Sequence, residues 1–226
     1  MKTIVIIPAA GRGLRLKSKI HKPFLKIAGQ QLVFRTLLKF ERHKSISGII
    51  IAVSKDKLKK VSYKLKKSRF KKIISVVCGG ATRTESVKNA LGAIPADADL
   101  VLIHDVARPF VSDKIIADAI SAARVYGAAI TGIPVKATLK SFKDGFFVDK
   151  TLDRKSIYEI QTPQVFKKNI LLEAYKKLSG ISFTDDSQLV EKLGFKVKIV
   201  NGSYFNIKIT TPEDIIFAEA IAKIQK

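Results

Sequence analysis

Short, nearly unbroken apolar runs rich in Ile and Val recur along the chain, and stretches with helical spacing separate them. The runs predict strands at Thr3–Ile7, Gly48–Val53, Ile73–Val77, Leu100–Ile103, Ala128–Pro134 and Lys196–Val200. Most lack a polar face, as expected of strands covered on both sides. Helical patterns fall at Leu32–Arg42, Lys57–Lys66, Glu85–Leu91, Asp113–Tyr126, Lys168–Leu178, Asp186–Leu193 and Pro212–Ala222. Ser112 is placed to cap the helix that Gly127 ends. Thr211 stands before Pro212, with Glu213 and Asp214 in the first turn, where acids suit the helix dipole. Strand–helix alternation of these lengths predicts an α/β fold with a mainly parallel, doubly wound sheet. Its ligands sit beyond the carboxyl ends of the strands.

One segment breaks the alternation. Lys143-Asp144-Gly145 supplies a turn between Thr138–Phe142 and Phe146–Val148, so a hairpin is expected across Lys136–Thr151. Two exposed strands alone are marginal in water. A partner surface would explain their persistence, but the residues alone favour an ordinary edge hairpin of the sheet.

Composition narrows the class. The chain has 226 residues, enough for one substantial core, and 46% hydrophobic content argues against disorder. Cys78 is the only cysteine, which excludes an internal disulfide; following Ile73–Val77, it reads as a small core residue. Pro8 interrupts the first apolar run before it could serve as a secretory segment, and no apolar stretch has the length to cross a bilayer. A cytoplasmic protein without a membrane partner is expected. The net charge of +23, from 42 basic and 19 acidic residues, favours anionic partners. From Lys55 to Lys72, lysines surround Val61, Leu65 and Phe70, the pattern of an amphipathic helix with a wet face. A nucleic acid would also suit the charge. No aromatic-rich RNA-binding motif, zinc finger or clear helix-turn-helix is present; a polyphosphate substrate and a lysine-rich solvated surface are the other readings of the charge, which alone names no ligand.

Three strand-ending loops carry candidate chemistry. The first, Pro8-Ala9-Ala10-Gly11-Arg12-Gly13-Leu14-Arg15-Leu16, lets backbone approach phosphate closely, and Arg12, Arg15 and Lys22 supply charge. It is neither the dinucleotide fingerprint, because Leu16 replaces the third glycine, nor a Walker loop. The second runs from Gly79 and Gly80 through Arg83 to Ser86 and also fits a simple strand-to-helix turn capped by Thr84. In the third, His104-Asp105-Val106-Ala107-Arg108-Pro109, Asp105 suits either Mg²⁺ on nucleotide phosphates or a simple turn cap, and Arg108 suits a substrate phosphate. Later polar stretches at Thr151–Arg154, Gln161–Gln164, Thr184–Asp186 and Asn206–Thr210 are not decisive alone. The histidines lack zinc spacing, and His43 reads as structural.

Taken in order, these stretches resemble the 2-C-methyl-D-erythritol 4-phosphate cytidylyltransferases of the non-mevalonate isoprenoid pathway, over nearly the whole chain. The resemblance implies one Rossmann-like nucleotidyltransferase domain over residues 1–226. It also implies a homodimer whose β-arm, at about 136–158, helps complete the neighbouring subunit's site. CTP and a polyol phosphate are the implied substrates, with Mg²⁺ or another divalent cation as cofactor. By resemblance Ala9, Ala10, Gly11, Gly80 and Ser86 contact cytosine or ribose. Pro8, Gly13, Gly79, Arg83, Asp105 and Val106 complete the nucleotide site. Arg15, Lys22 and Lys208 meet the phosphates and are the implied catalytic cations, and Asp105 faces the metal. Arg108, Thr138 and Arg154 hold the acceptor phosphate, with Thr162 and Thr184 in the same subsite. Three positions depart from the family pattern. Ala137 replaces the usual aspartate before the arm threonine, Val106 a common alanine, and Phe205 an acidic residue of some members. Phe205 is shared with the sister ribitol-5-phosphate cytidylyltransferases, the second reading. Pro8-Ala9-Ala10 and Thr151–Arg154 stand against it.

Overall fold

The structure, a computed structural model, describes residues 1–11, 13, 16, 21–178, 183 and 185–225. Six of the strands in its main sheet are the six that the apolar runs predict: β1 (Thr3–Ala9), β4 (Gly48–Val53), β5 (Ile73–Cys78), β6 (Leu100–Ile103), β7 (Ala128–Pro134) and β11 (Lys198–Asn201). Only β11 is displaced, starting two residues later than expected. A seventh strand, β10 (Tyr158–Lys167), was not expected. Among the described residues the sheet order is β11-β7-β10-β6-β1-β4-β5. Every neighbouring pair is parallel except those of β10, which runs antiparallel to both β6 and β7. Two short strands, β2 (Lys26–Ile27) and β3 (Gln30–Gln31), pair separately.

The continuous apolar runs are explained by helices on both faces. Alternate residues of β1 point opposite ways, so Val5 and Ile7 join one core cluster and Ile4 and Ile6 the other. The first core packs α1 (Leu32–Arg42), α2 (Leu58–Lys66) and α4 (Asp113–Tyr126) on the sheet. The second holds α3 (Arg83–Leu91), α5 (Lys168–Lys177) and α6 (Ser187–Lys192). Ile4, Val5, Ile6 and Ile7 are all 0% exposed. Burying each side chain contributes about 1.5–3 kcal/mol, so β1 is a fixed platform for the loop that follows it. The last helix, α7 (Pro212–Ile224), packs with Leu25, Ile27, Leu32 and Phe110 in a third cluster.

The helix ends follow their local chemistry. Ser112 Oγ accepts the Ile115 N–H, and Gly127, at φ +87°, closes α4. The Asp214 carboxylate accepts the Thr210 and Thr211 N–H groups at the start of α7. Thr82, not Thr84, caps α3: its Oγ1 accepts the Glu85 N–H at 3.1 Å, and the helix begins two residues earlier than expected. The Thr84 hydroxyl instead faces the backbone of Phe183. Cys78 is half-buried at the end of β5, not a core residue. No helix among the described residues is long and apolar enough to cross a membrane.

The expected hairpin is present as a two-stranded antiparallel sheet of its own, β8 (Leu139–Phe142) with β9 (Val148–Leu152), so it is not an edge of the main sheet. Gly145 takes φ +69° in its turn, and Lys143 pairs with Asp149 at 2.8 Å. The second strand runs further than Phe146–Val148, reaching Leu152. Phe142, Phe147 and Val148 are 62–77% exposed. At its foot the Arg154 guanidinium donates to the Lys136 carbonyl.

Candidate active site

The carboxyl ends of β1, β4, β5 and β6 open onto a cleft of about 800 Å³. The first two loops meet tightly on its floor. A Cβ added to Gly79 would stand 2.5 Å from the Ala10 Cβ and 2.9 Å from the Ser86 Oγ. Glycine is therefore demanded where β1 and β5 hand over to their loops. Ser86 is buried and braces the second loop, accepting the Gly80 N–H at 3.1 Å and donating to the Thr82 carbonyl at 2.9 Å. Gly13 has φ +72°, and an added Cβ would lie 2.7 Å from the Lys22 Cβ, so the first loop passes close behind Lys22. Lys22 itself opens a short 3-10 turn, Lys22–Phe24, anchored by buried Pro23.

Asp105 is the acidic centre. Its backbone follows β6 by two residues, and its N–H donates to the Thr162 Oγ1 at 3.1 Å. Its two carboxylate oxygens are held by Arg83 Nε at 3.0 Å and Lys208 Nζ at 2.6 Å. Burial would raise its pKa, but Arg83 and Lys208 together outweigh burial and hold the carboxyl far below the usual range. It is thus a fixed anion at working pH, not a proton shuttle. Arg83 also reaches away from the cleft: its Nη1 donates to Asp186 at 2.6 Å. Asp186, 1% exposed, accepts the Tyr175 hydroxyl at 2.5 Å, and its N–H donates to Gln164 Oε1 at 3.1 Å. Burial, then the Asp186 charge, pushes the Tyr175 pKa up, so the phenol stays a donor. Lys208, Asp105, Arg83, Asp186 and Tyr175 form one continuous chain from cleft to interior.

His104 is fully buried beneath this chain. Its Nε2 faces the Arg108 carbonyl at 2.9 Å and its Nδ1 faces the Thr162 hydroxyl at 3.1 Å. Burial lowers its pKa to about 4, so it is neutral in the native state. The pH consequence has a definite sign. A depressed native pKa stabilises the fold above the unfolded value of about 6.5, and that contribution is lost as pH falls toward about 4. The full shift corresponds to about 3 kcal/mol. Urea denaturation of the wild type should therefore lose more stability between pH 7 and 4.5 than His104→Gln loses; equal pH slopes would remove His104 from the acid response. His43 is structural as expected, with Nε2 on the Asp113 carbonyl and Nδ1 accepting the Ser45 N–H.

Most of the expected nucleotide residues converge. Pro8, Ala10, Gly11 and Gly13 line the cleft from the first loop, and Gly79, Gly80, Arg83 and Ser86 from the second. Asp105, Val106, Lys22 and Lys208 complete the set. Ala9 does not join them: it is 5% exposed and packs into the core. Arg15 and Thr184, like Arg12, lie outside the described residues. Thr162 is placed behind Asp105, not on the cleft wall. Arg108 is 6% exposed, and its guanidinium donates to the carbonyls of Asn206, at 2.7 Å, and Ile160, at 3.4 Å. Thr138 and Arg154 lie exposed on the hairpin, away from this chain's cleft lining. Ser54 and Lys55 also line the cleft, although neither belongs to a glycine-rich or acidic motif. Their place just past β4 was the available signal.

Four cations and one carboxylate line the cleft among the described residues, so it retains positive charge after Asp105 is counted. Strand-end loops, close-packed glycines and an excess of cations define an α/β site suited to a ligand that carries phosphates. A family model for 2-C-methyl-D-erythritol 4-phosphate cytidylyltransferase matches residues 3–224. A protein of that name from Clostridium novyi (strain NT) is 43% identical over 97% of this chain and 96% of its own. Solved structures are similar as well. The 4-diphosphocytidyl-2C-methyl-D-erythritol synthase of Anaerococcus prevotii DSM 20548 has a TM-score of 0.86 at 39% identity, covering 99% of this chain and 96% of that one. The 2-C-methyl-D-erythritol 4-phosphate cytidylyltransferase of Thermus thermophilus has a TM-score of 0.79 at 35% identity, covering 99% and 100%. The chain belongs to the 2-C-methyl-D-erythritol 4-phosphate cytidylyltransferase family.

Proposed function

We propose that the chain joins CTP to 2-C-methyl-D-erythritol 4-phosphate, giving 4-diphosphocytidyl-2-C-methyl-D-erythritol and pyrophosphate. What carries the reading is that separate stretches matching one family meet in a single positively charged cleft. An oxygen of the acceptor phosphate attacks the α-phosphorus of CTP, a new P–O bond forms, and the bond to the β-phosphate oxygen breaks as pyrophosphate leaves. A phosphate monoester is largely ionised at pH 7, its second pKa being about 6, so the nucleophile needs no general base. That suits a site whose buried acid is permanently ionised and whose buried histidine is neutral. The task is to bring anions together and steady the charge on the reacting phosphorus, and Lys22 and Lys208 are the assigned groups. The ribitol-5-phosphate reading gains no support from the relatives found.

A divalent cation is part of the proposal. No group of three or more His, Cys, Asp or Glu residues forms a metal cage among the described residues. Asp105 offers one carboxylate whose oxygens already serve Arg83 and Lys208. That donor set fits an ion delivered on the nucleotide's phosphates, with phosphate oxygens and water filling most of its shell. When bound, Mg²⁺ would neutralise phosphate charge and align the triphosphate. One pyrophosphate-release assay tests both statements. It crosses CTP, UTP, ATP and GTP with methylerythritol and ribitol phosphates, with and without Mg²⁺, for the wild type and Asp105→Asn. Equal use of UTP and CTP, preference for ribitol phosphate, or unchanged Mg²⁺ response in Asp105→Asn would each sink its part of the reading.

The active unit is proposed to be a homodimer, in the cytoplasm with its nucleotide pool; gel filtration and cell fractionation test these two placements. The hairpin β8–β9 supports the dimer, because two strands with Phe147 and Val148 so exposed are marginal on their own in water. Thr138 and Arg154 would then serve the partner's acceptor phosphate, Arg154 through a bidentate fork. Mixing Arg154→Ala with Lys22→Ala subunits should restore partial activity, since one of the two composite sites becomes wholly wild type. No recovery in proven heterodimers would overturn the shared site.

A further inference from the structure

Lys55 stands two residues past the end of β4, and Val53 there is paired with Ala9 on one side and Cys78 on the other. It therefore occupies the rim between the two glycine-rich loops, and it lines the cleft. We propose that Lys55 is a further nucleotide-binding residue, an ammonium that takes a phosphate oxygen of the incoming nucleoside triphosphate. The inference rests on the cytidylyltransferase reading of the same cleft.

Charge pairing around the cleft favours this role. Arg83 and Lys208 are both engaged by Asp105. The acid beside Lys55, Asp56, is taken by the Ser54 hydroxyl and by Lys57 Nζ at 2.9 Å, which hold its pKa down to about 2. Lys55 is exposed and its ammonium has no partner among the described residues. Position points the same way. Lys22 and Lys55 line the same cleft, so the turn carrying Lys55 borders the space that the first loop also faces. Beyond it Lys59 and Lys60 extend the positive field along α2. An ammonium has three donors, no acceptor and strong hydration. An anionic phosphate oxygen can compete with that hydration, whereas a neutral base carbonyl gains little in an open cleft.

The test compares calorimetric CTP binding and initial-rate kinetics for the wild type, Lys55→Ala and Lys55→Arg. Lys55→Ala should bind CTP about tenfold more weakly, with a matching rise in KM for CTP. Its KM for the acceptor should stay put, and its CTP affinity should depend less steeply on ionic strength. Lys55→Arg should retain most of the affinity. Unaltered CTP affinity in Lys55→Ala, or equal rises in both KM values, overturns the proposal. A wild type that binds CTP but transfers no cytidylyl group would defeat the activity reading while the calorimetric comparison still decides the role of Lys55.

Discussion

Lys22→Ala is expected to lower turnover by about 10²–10³-fold while leaving the fold intact. The expectation comes from position. Lys22 stands on the cleft wall directly against Gly13, and the turn that holds it is fixed by buried Pro23, which the substitution spares. The reaction gathers two phosphorylated substrates, so the removed charge is one the site needs most as negative charge builds on phosphorus. No packed hydrophobic group is lost, and the thermal midpoint should stay close to that of the wild type. Pyrophosphate release and far-UV circular dichroism, measured side by side, check both halves. Near-normal turnover would remove Lys22 from the reacting centre; a collapsed fold would make it structural.

Asp186→Ala should destabilise the protein by about 3–5 kcal/mol, the range for breaking a buried ion pair from one side. The carboxylate is 1% exposed and meets Arg83 and Tyr175 at 2.6 and 2.5 Å. Alanine leaves Arg83 with Asp105 alone and strands the Tyr175 hydroxyl, itself 6% exposed as a residue. Because Arg83 also positions Asp105, activity should fall in the fraction that remains folded. Tyr175→Phe removes one donor and should lose about 1–2 kcal/mol with smaller kinetic damage. Guanidinium titrations rank the variants. A loss under about 1 kcal/mol for Asp186→Ala would mean that water replaces the carboxylate and that the chain of contacts is not structural.

Strands packed on both faces announce themselves as apolar runs, which is why β1, β4, β6 and β7 were legible. β10 was not. Gln161, Thr162 and Gln164 look like loop residues, and Pro163 argues against a central strand. The sheet accommodates them with a register shift between Gln161 and Gln164. Their polar groups are satisfied from distant segments: Gln161 pairs with Ser203 and Asn206, and Gln164 with Asp185 and Asp186. Such partners are set by tertiary folding and leave no periodic trace. The loops of the cleft were readable because small residues and cations cluster at strand ends. Arg83 as the link between Asp105 and Asp186 was not, since its partners lie 22 and 103 residues away. The Thr82 cap did leave a signal, the glutamate three residues on. Lys55 was hidden by its neighbours, whose many lysines read as a solvated helix face.

The path of β10 joins the hairpin to the cleft. The chain leaves Arg154–Ser156, enters β10 at Tyr158, and reaches Thr162 four residues later. Thr162 accepts the Asp105 N–H and touches His104. A span of about 13 Å of extended strand therefore ties the foot of the hairpin to the acidic centre of its own subunit. On the dimer proposed above, each arm would act as a lever with two ends, delivering Arg154 outward and bracing Asp105 inward. Separating the subunits would then slacken both ends at once, and activity would fall more steeply on dilution than the loss of the donated side chains alone requires.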